Sequence, residues 1–427
     1  MTREEAISGQ VNRKILIWLA TIPAIDCICN QLNNALKLNL GPLSLLQLMR
    51  GVLIVIFVLI IARELSHNWS NIARIPVPAL GSVAILGMAA SKELIVTGGL
   101  SMNSLGAYGQ MLYWVLLWTA VSILCRRPEH RDIILRGLVW GACLTAVSVI
   151  LGLFLGATNY YKDDSVISSA GWFDTAKMIT GPLVVGGIVV LYLARDKGSW
   201  ASCFGAGLCF FACVLTYARA GSVALVLVLL WFLVWRVFVA RDGAGRWLNR
   251  FLIVVVGACI LVPVTVDMSR LLARWGDKGG SGRATFWTVA VDAYIIETVP
   301  AQAFGIGYNS MSEMLLRNYG DDIKHTHNDM LDALLVAGFA GALWLTGLTG
   351  SFARRALLSP ISSAEGAAGI AIVLTYICHA LLTGQIWGTD AMTYYTLSIT
   401  CLIRGADHPN VNNRRQMYSL GRRELFA

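Results

Sequence analysis

Charge is scarce in this sequence. Asp, Glu, Lys and Arg make up only 14% of 427 residues, while hydrophobic residues make up 56%. A soluble domain carries about 25% charged residues, so a water-soluble globular enzyme is excluded. A Pro-rich linker, a low-complexity tract and an obvious internal repeat are also missing. The chain therefore reads as one membrane domain, 1–427. The ten cysteines all fall in or at the ends of apolar runs. None lies in an outer loop where a disulfide could form, and small apolar core residue is their ordinary role. The net charge of +9 comes from basic residues scattered over many loops. That scatter argues against nucleic acid as a partner.

What the sequence has in abundance is long apolar runs. About twelve recur, near 14–32, 43–65, 75–97, 104–125, 133–156, 176–194, 199–217, 220–240, 250–268, 328–352, 364–383 and 388–403. Runs of this length can cross a hydrocarbon core of about 30 Å as helices. The N-terminus opens polar and acidic (Thr2, Arg3, Glu4, Glu5), unlike a cleaved signal. With twelve spans and the N-terminus inside, 22 of the 34 lysines and arginines fall on one side. That side is the cytoplasm by the positive-inside rule. The expected fold is all-α: a polytopic integral membrane protein in the lipid bilayer, with about 12 transmembrane helices and both termini cytoplasmic. One long outer segment, 269–327, contains short helices. It holds the loop DKGGSG at 277–282 and an amphipathic helix near 283–298, with Phe286, Trp287, Ala290, Ala293 and Tyr294 on one face. Pro300 ends that helix, Gly305 and Gly307 mark a turn, and a second short helix covers 309–319.

Three residues of this region stand out chemically. Arg219, in TYARAGS, sits at the outer end of the seventh run, at bilayer level. An ionisable group at that depth is a functional candidate, although an arginine at a helix end also snorkels. Arg283 follows a Gly-rich loop and opens a helix. Guanidinium groups and helix N-termini both bind phosphate oxygens; the plain alternative is a solvated surface arginine. His327 begins the tenth run, beside Asn328 and Asp329. An imidazole suits proton abstraction from a sugar hydroxyl, and it also serves as a cap or surface group. His325 and His327 have a spacing that allows a shared metal, but a zinc site would want a third ligand and no Cys or third His lies nearby, so neither metal nor cofactor is expected. Arg50 lies in the outer third of the second run, at the depth of Asp26 in the first. It reads either as half of a structural ion pair or as a grip on substrate. Trp387, Asp390, Tyr394 and Tyr395 lie near the last outer turn. Aromatics there form an interfacial belt or, less commonly, a platform for sugar.

Over roughly 214–345 the chain resembles the O-antigen ligase and O-antigen polymerase family of bacterial envelope glycosyltransferases. The resemblance rests on Arg219 in TYARAGS, on Gly282-Arg283 followed by Trp287, on Gly305-x-Gly307, and on HNDMLDALLVAGFAG from His327 to Gly341. It implies an inner-membrane protein whose long loop faces the periplasm and carries the catalytic groups. The implied donor is a glycan on undecaprenyl diphosphate, transferred with inversion and without a metal. Arg219 and Arg283 would neutralise the leaving diphosphate, and His327 would deprotonate or orient the acceptor hydroxyl. Arg50 and Asn328 are the candidate substrate-binding residues. The favoured activity is polymerisation of lipid-linked oligosaccharide repeats into surface polysaccharide. The alternatives are ligation of finished glycan to lipid A-core and transport or flipping of the same lipid. A transporter would show polar residues and broken helices at the midplane, and the sequence shows few. The implied partners are the lipid-linked oligosaccharide, an acceptor glycan on a lipid, and other polysaccharide-assembly proteins.

The orientation is directly testable. A cysteine placed at Ser281 reacts with an impermeant thiol reagent in intact spheroplasts if 269–327 faces outward. Labelling only after lysis would reverse the topology.

Overall fold

The computed structural model describes residues 3–36, 39–40, 43–155, 159–160, 167–168, 173, 176–195, 199–239, 283–319 and 325–402. Among them the chain is helical. The helices are α1 (Arg3–Leu36), α2 (Leu45–His67), α3 (Val77–Thr97), α4 (Met102–Leu124), α5 (Pro128–Phe154), α6 (Ala176–Leu193), α7 (Trp200–Leu215) and α8 (Arg219–Val234). They continue as α9 (Arg283–Ile296), α10 (Val299–Phe304), α11 (Tyr308–Tyr319), α12 (Asp329–Leu358), α13 (Ala364–Leu382) and α14 (Thr389–Leu402). Two antiparallel pairs of two residues each, Asn39–Leu40 with Leu43–Ser44 and Asn159–Tyr160 with Ile167–Ser168, are the only extended pieces described.

Among the described residues eight helices are long and apolar enough to cross a membrane: those in α1, α2, α3, α4, α5, α8 with its π-helical extension to Val239, α12 and α13. The sequence leads to an expectation of about twelve. Its ninth run, 250–268, lies outside the described residues. The helices α7 and α14 are 16 and 14 residues long. The helix α14 lies inside the bundle. It packs against α4, α5 and α6, and nearly all its side chains are buried. The opposite case is α2, which turns Val52, Val55, Val58 and Leu59 outward. A helix apolar on its outer face suits contact with acyl chains.

The short helices fall where periodicity predicts them. Ala290 is buried on α9, and Tyr294 packs against the core and donates its hydroxyl to the Gln302 carbonyl at 2.8 Å. The side chain of Phe286 lies outside the described residues. Pro300 does not simply terminate α9. It occupies the first turn of α10, where its missing N–H costs nothing.

The helix α12 is broken at Gly338, whose φ of 65° and ψ of −156° are not helical. The carbonyls of Leu335 and Val336 would otherwise accept from N–H groups four residues on. Here the N–H of Ile306 donates to Leu335 O at 2.7 Å and that of Gly307 to Val336 O at 3.1 Å. Unpaired carbonyls at membrane depth cost several kcal/mol each, so the turn after α10 completes α12. Gly305 has a φ of 80° and Gly307 of 84°. A Cβ on Gly305 would collide with the Val336 carbonyl and the Ala337 nitrogen; one on Gly338 would collide with backbone of Ala303, Phe304 and Gly305. The two glycines serve one contact from opposite sides.

Gly305→Ala and Gly338→Ala should each lose at least about 1–3 kcal/mol from the backbone conformation alone. The double variant should lose less than the sum, because both break the same joint. Thermal unfolding in detergent measures this. Single variants that melt with the unmodified protein would show that the joint tolerates side chains.

Candidate active site

The segment His325–Asp332 is folded by its own polar side chains. Thr326 is fully buried, and Asp332 Oδ1 accepts from its N–H and its hydroxyl, both at 2.7 Å. Asn328 caps α12: its Oδ1 accepts from the N–H of Met330 at 2.9 Å and of Leu331 at 3.2 Å. Its Nδ2 donates to the Leu381 carbonyl at 3.4 Å. The amide expected to bind substrate thus has protein partners at both ends. Asp329, also fully buried, accepts at Oδ1 from the N–H of Gln385 at 2.5 Å and of Ile386 at 3.0 Å. These bonds clamp the start of α12 to the turn between α13 and α14.

His327 sits in the middle of this knot with a φ of 61°. A non-glycine residue in the left-handed region is uncommon and points to an imposed conformation. Its Nδ1 meets the Thr383 carbonyl at 3.4 Å. A carbonyl can only accept, so Nδ1 carries the proton and, in the neutral ring, Nε2 carries the lone pair. The His325 ring lies edge-to-face against it, with centroids 4.3 Å apart and planes at 86°. Among the described residues no group of three His, Cys, Asp or Glu side chains forms a metal cage.

Arg219 is the first residue of α8 and is half-buried. Tyr217, two residues before it, is the other non-glycine residue with positive φ among the described residues, at 52°. Both candidate groups therefore stand beside imposed backbone turns. Two residues into α8, Gly221 lies so close to Thr180 that a Cβ would stand 2.7 Å from its side chain. The Thr180 hydroxyl meets His379 Nε2 at 2.9 Å. His379 is one turn before Thr383, so the last turns of α13 join the surroundings of Arg219 to those of His327. Arg283 is the first residue of α9, and its side chain lies outside the described residues. One turn later, Trp287 Nε1 donates to the Thr326 carbonyl at 3.3 Å, which brings that helix to the histidine segment.

Residues 204–346 match the O-antigen ligase family. Arg219, Arg283, Gly305, Gly307, His327 and Gly338 all fall within that match. No curated protein matches the chain.

Two buried clusters centre on carboxylates outside the matched segment, Asp26 with Asp390 in one and Glu93 in the other. In the first, Arg50 forms a fork onto Asp26, with Nε–Oδ1 at 3.0 Å and Nη2–Oδ2 at 3.1 Å. Its Nη2 also reaches Asp390 Oδ1 at 2.8 Å, and Asn30 donates to Asp390 Oδ2 at 3.3 Å. The Asp26–Arg50 pair anticipated from depth is present. Asp390, noted in sequence only among outer-turn aromatics, is its third member. In the second cluster Glu93, 1% exposed, accepts from the hydroxyls of Ser104 and, at 3.0 Å, Tyr108. The Tyr108 oxygen in turn accepts the Tyr308 N–H at 3.3 Å. Tyr108, Tyr308 and Trp387 pack as a cluster of rings. Sequence reasoning passed over Glu93, although an acid inside an apolar run was the signal that could have found it. Trp387 is buried among these rings and is no part of an exposed belt.

Replacing Arg50 by Leu should destabilise the protein by about 3–5 kcal/mol, because the buried Asp26 and the partly buried Asp390 lose their counter-charge. Arg50→Lys should recover only part, since an ammonium cannot reproduce the fork. Thermal unfolding decides this; an unchanged midpoint in Arg50→Leu would mean that α1, α2 and α14 hold together without the ion network.

Proposed function

We propose that the protein transfers a glycan from undecaprenyl diphosphate to a carbohydrate acceptor at the periplasmic face of the inner membrane. The acceptor is the growing end of a second lipid-linked chain, so that repeats are polymerised into surface polysaccharide. The observation that carries this reading is the Nδ1–H of His327 on the Thr383 carbonyl, in a segment packed close to α9 and α13. It leaves Nε2 with the lone pair that a general base needs. In the proposed step Nε2 takes the acceptor hydroxyl proton. The acceptor oxygen then bonds to the anomeric carbon as the bond to the diphosphate oxygen breaks. The electron pair leaves on the diphosphate, and Arg219 and Arg283 neutralise its added charge. Attack opposite the leaving group inverts the anomeric centre. Glycosyl transfer from a diphosphate needs this cationic clamp and base; it needs no pair of catalytic carboxylates.

A second reading, ligation of a finished glycan to lipid A-core, has the O-antigen ligase description of the matching family in its favour. Both readings use the same groups and differ only in acceptor. Transport of the lipid is disfavoured: the carbonyls freed at the break in α12 are taken by backbone N–H groups of 306–307, whereas a carrier's broken helix turns them to substrate or ion.

The test is transfer by purified protein. With lipid-linked repeat alone, a ladder supports polymerisation; product only when lipid A-core is added supports ligation. His327→Ala should lower the rate on the order of 10²–10⁴-fold, the range of a lost general base, while His325→Ala changes it little. Arg219→Ala and Arg283→Ala should each cost about 2–4 kcal/mol of transition-state stabilisation. Full activity in a normally accumulated Arg283→Ala or His327→Ala protein would overturn the assignment.

A further inference from the structure

We infer that Asp329 is a positioning residue that sets the tautomer of His327 through the turn between α13 and α14. The inference rests on the reading of His327 as the base. Asp329 follows His327 by two residues but does not bond to it. Its carboxylate is fully buried, and Oδ1 accepts from two consecutive backbone N–H groups, those of Gln385 and Ile386. Those bonds pin the turn that begins at Thr383. The Thr383 carbonyl is the acceptor for His327 Nδ1. The turn has further supports that fix the same carbonyl. Thr383 donates its hydroxyl to the His379 carbonyl at 2.7 Å, Gln385 Nε2 donates to that hydroxyl oxygen at 2.7 Å, and the Gly384 N–H reaches His379 O at 3.1 Å. Gly384 has a φ of 67°, and a Cβ there would stand 3.4 Å from the His327 backbone.

The chemistry follows from these contacts. A neutral imidazole exchanges its single proton between Nδ1 and Nε2, and the hydrogen bond on one nitrogen decides which form prevails. With Nδ1–H fixed on a carbonyl, Nε2 is the basic nitrogen. If the turn is released, the ring is free to place its proton on Nε2 and loses its function as a base. Asp329 therefore acts at a distance, by holding a backbone carbonyl in place. In this it differs from the carboxylate of a catalytic triad, which bonds the imidazole directly. The role needs an acceptor atom at Oδ1 and does not need negative charge.

The experiment is nitrogen NMR of histidine-labelled protein in bilayers at a pH where the ring is neutral, with kcat and donor KM measured on the same preparations. The His327 signals are those missing from the His327→Ala protein. The unmodified protein should show the Nδ1–H tautomer. Asp329→Leu, branched at Cγ like aspartate but without an acceptor, should shift His327 toward the Nε2–H form. It should lower kcat on the order of 10²-fold and leave the donor KM unchanged. Asp329→Asn keeps Oδ1 as an acceptor and should recover the tautomer and most of the rate. Should Asp329→Leu fail to accumulate, Asp329→Ala removes the same acceptor without branching and is read the same way. An Nε2–H tautomer in the unmodified protein, or an unshifted tautomer with full kcat in Asp329→Leu or Asp329→Ala, overturns the inference. An active His327→Ala protein overturns the reading beneath it instead, so the two failures are distinct.

Discussion

The break in α12 is the joint on which the site depends. A backbone that leaves the helix inside a membrane protein strands two carbonyls, and lipid offers them no donor. Here the donors come from Ile306 and Gly307, residues of the connection between α10 and α11. That contact needs glycine on both sides, because the two backbones approach too closely for any Cβ. Once it forms, the α9–α11 unit cannot drift from α12. Trp287 is then placed against Thr326, and the histidine segment gains one of its walls.

A second constraint works from the other side. The polar residues of Thr326–Asp332 are almost wholly committed to the backbone: Asp332 to Thr326, Asn328 to the first turn of α12, Asp329 to the turn at 385–386. Asp329 Oδ2 and Asp332 Oδ2 are buried without a hydrogen-bond partner, so it is the Oδ1 bonds of the two carboxylates that make the segment rigid and specific. The strain of a left-handed His327 is held by that commitment. In the proposed mechanism this places the base on a segment that cannot relax, which lowers the reorganisation needed at the moment of reaction.

Much of this was legible in sequence because it is local. The apolar runs mark the spans, the glycines of FGIG mark a turn, and a His-Asn pair at the start of an apolar run marks a helix entrance. The Asp26–Arg50 pair could be read from depth alone, since both lie at similar heights in consecutive spans. Long-range partners left no such trace. Asp390 joins Arg50 from 340 positions away, and the Thr383 carbonyl that orients His327 is 56 positions on. A carbonyl is present in every residue, so no side-chain pattern advertises it. Asn328 had the residue type of a ligand-binding group and equally that of an N-cap, and only the geometry shows the cap. Apolar length does not by itself distinguish a helix that faces lipid from one buried within the bundle, as α14 is.

The account's central claim is a single displacement at the anomeric carbon, driven by an oriented histidine and a cationic clamp on the diphosphate. The most direct measurement is the anomeric configuration of the new bond. It is read by NMR on product made by the purified protein, in the presence of a chelator, from a lipid-diphosphate donor of known configuration. The account predicts inversion, at a rate the chelator does not change. Retention of configuration, or activity lost to the chelator and restored by a divalent metal, would contradict it.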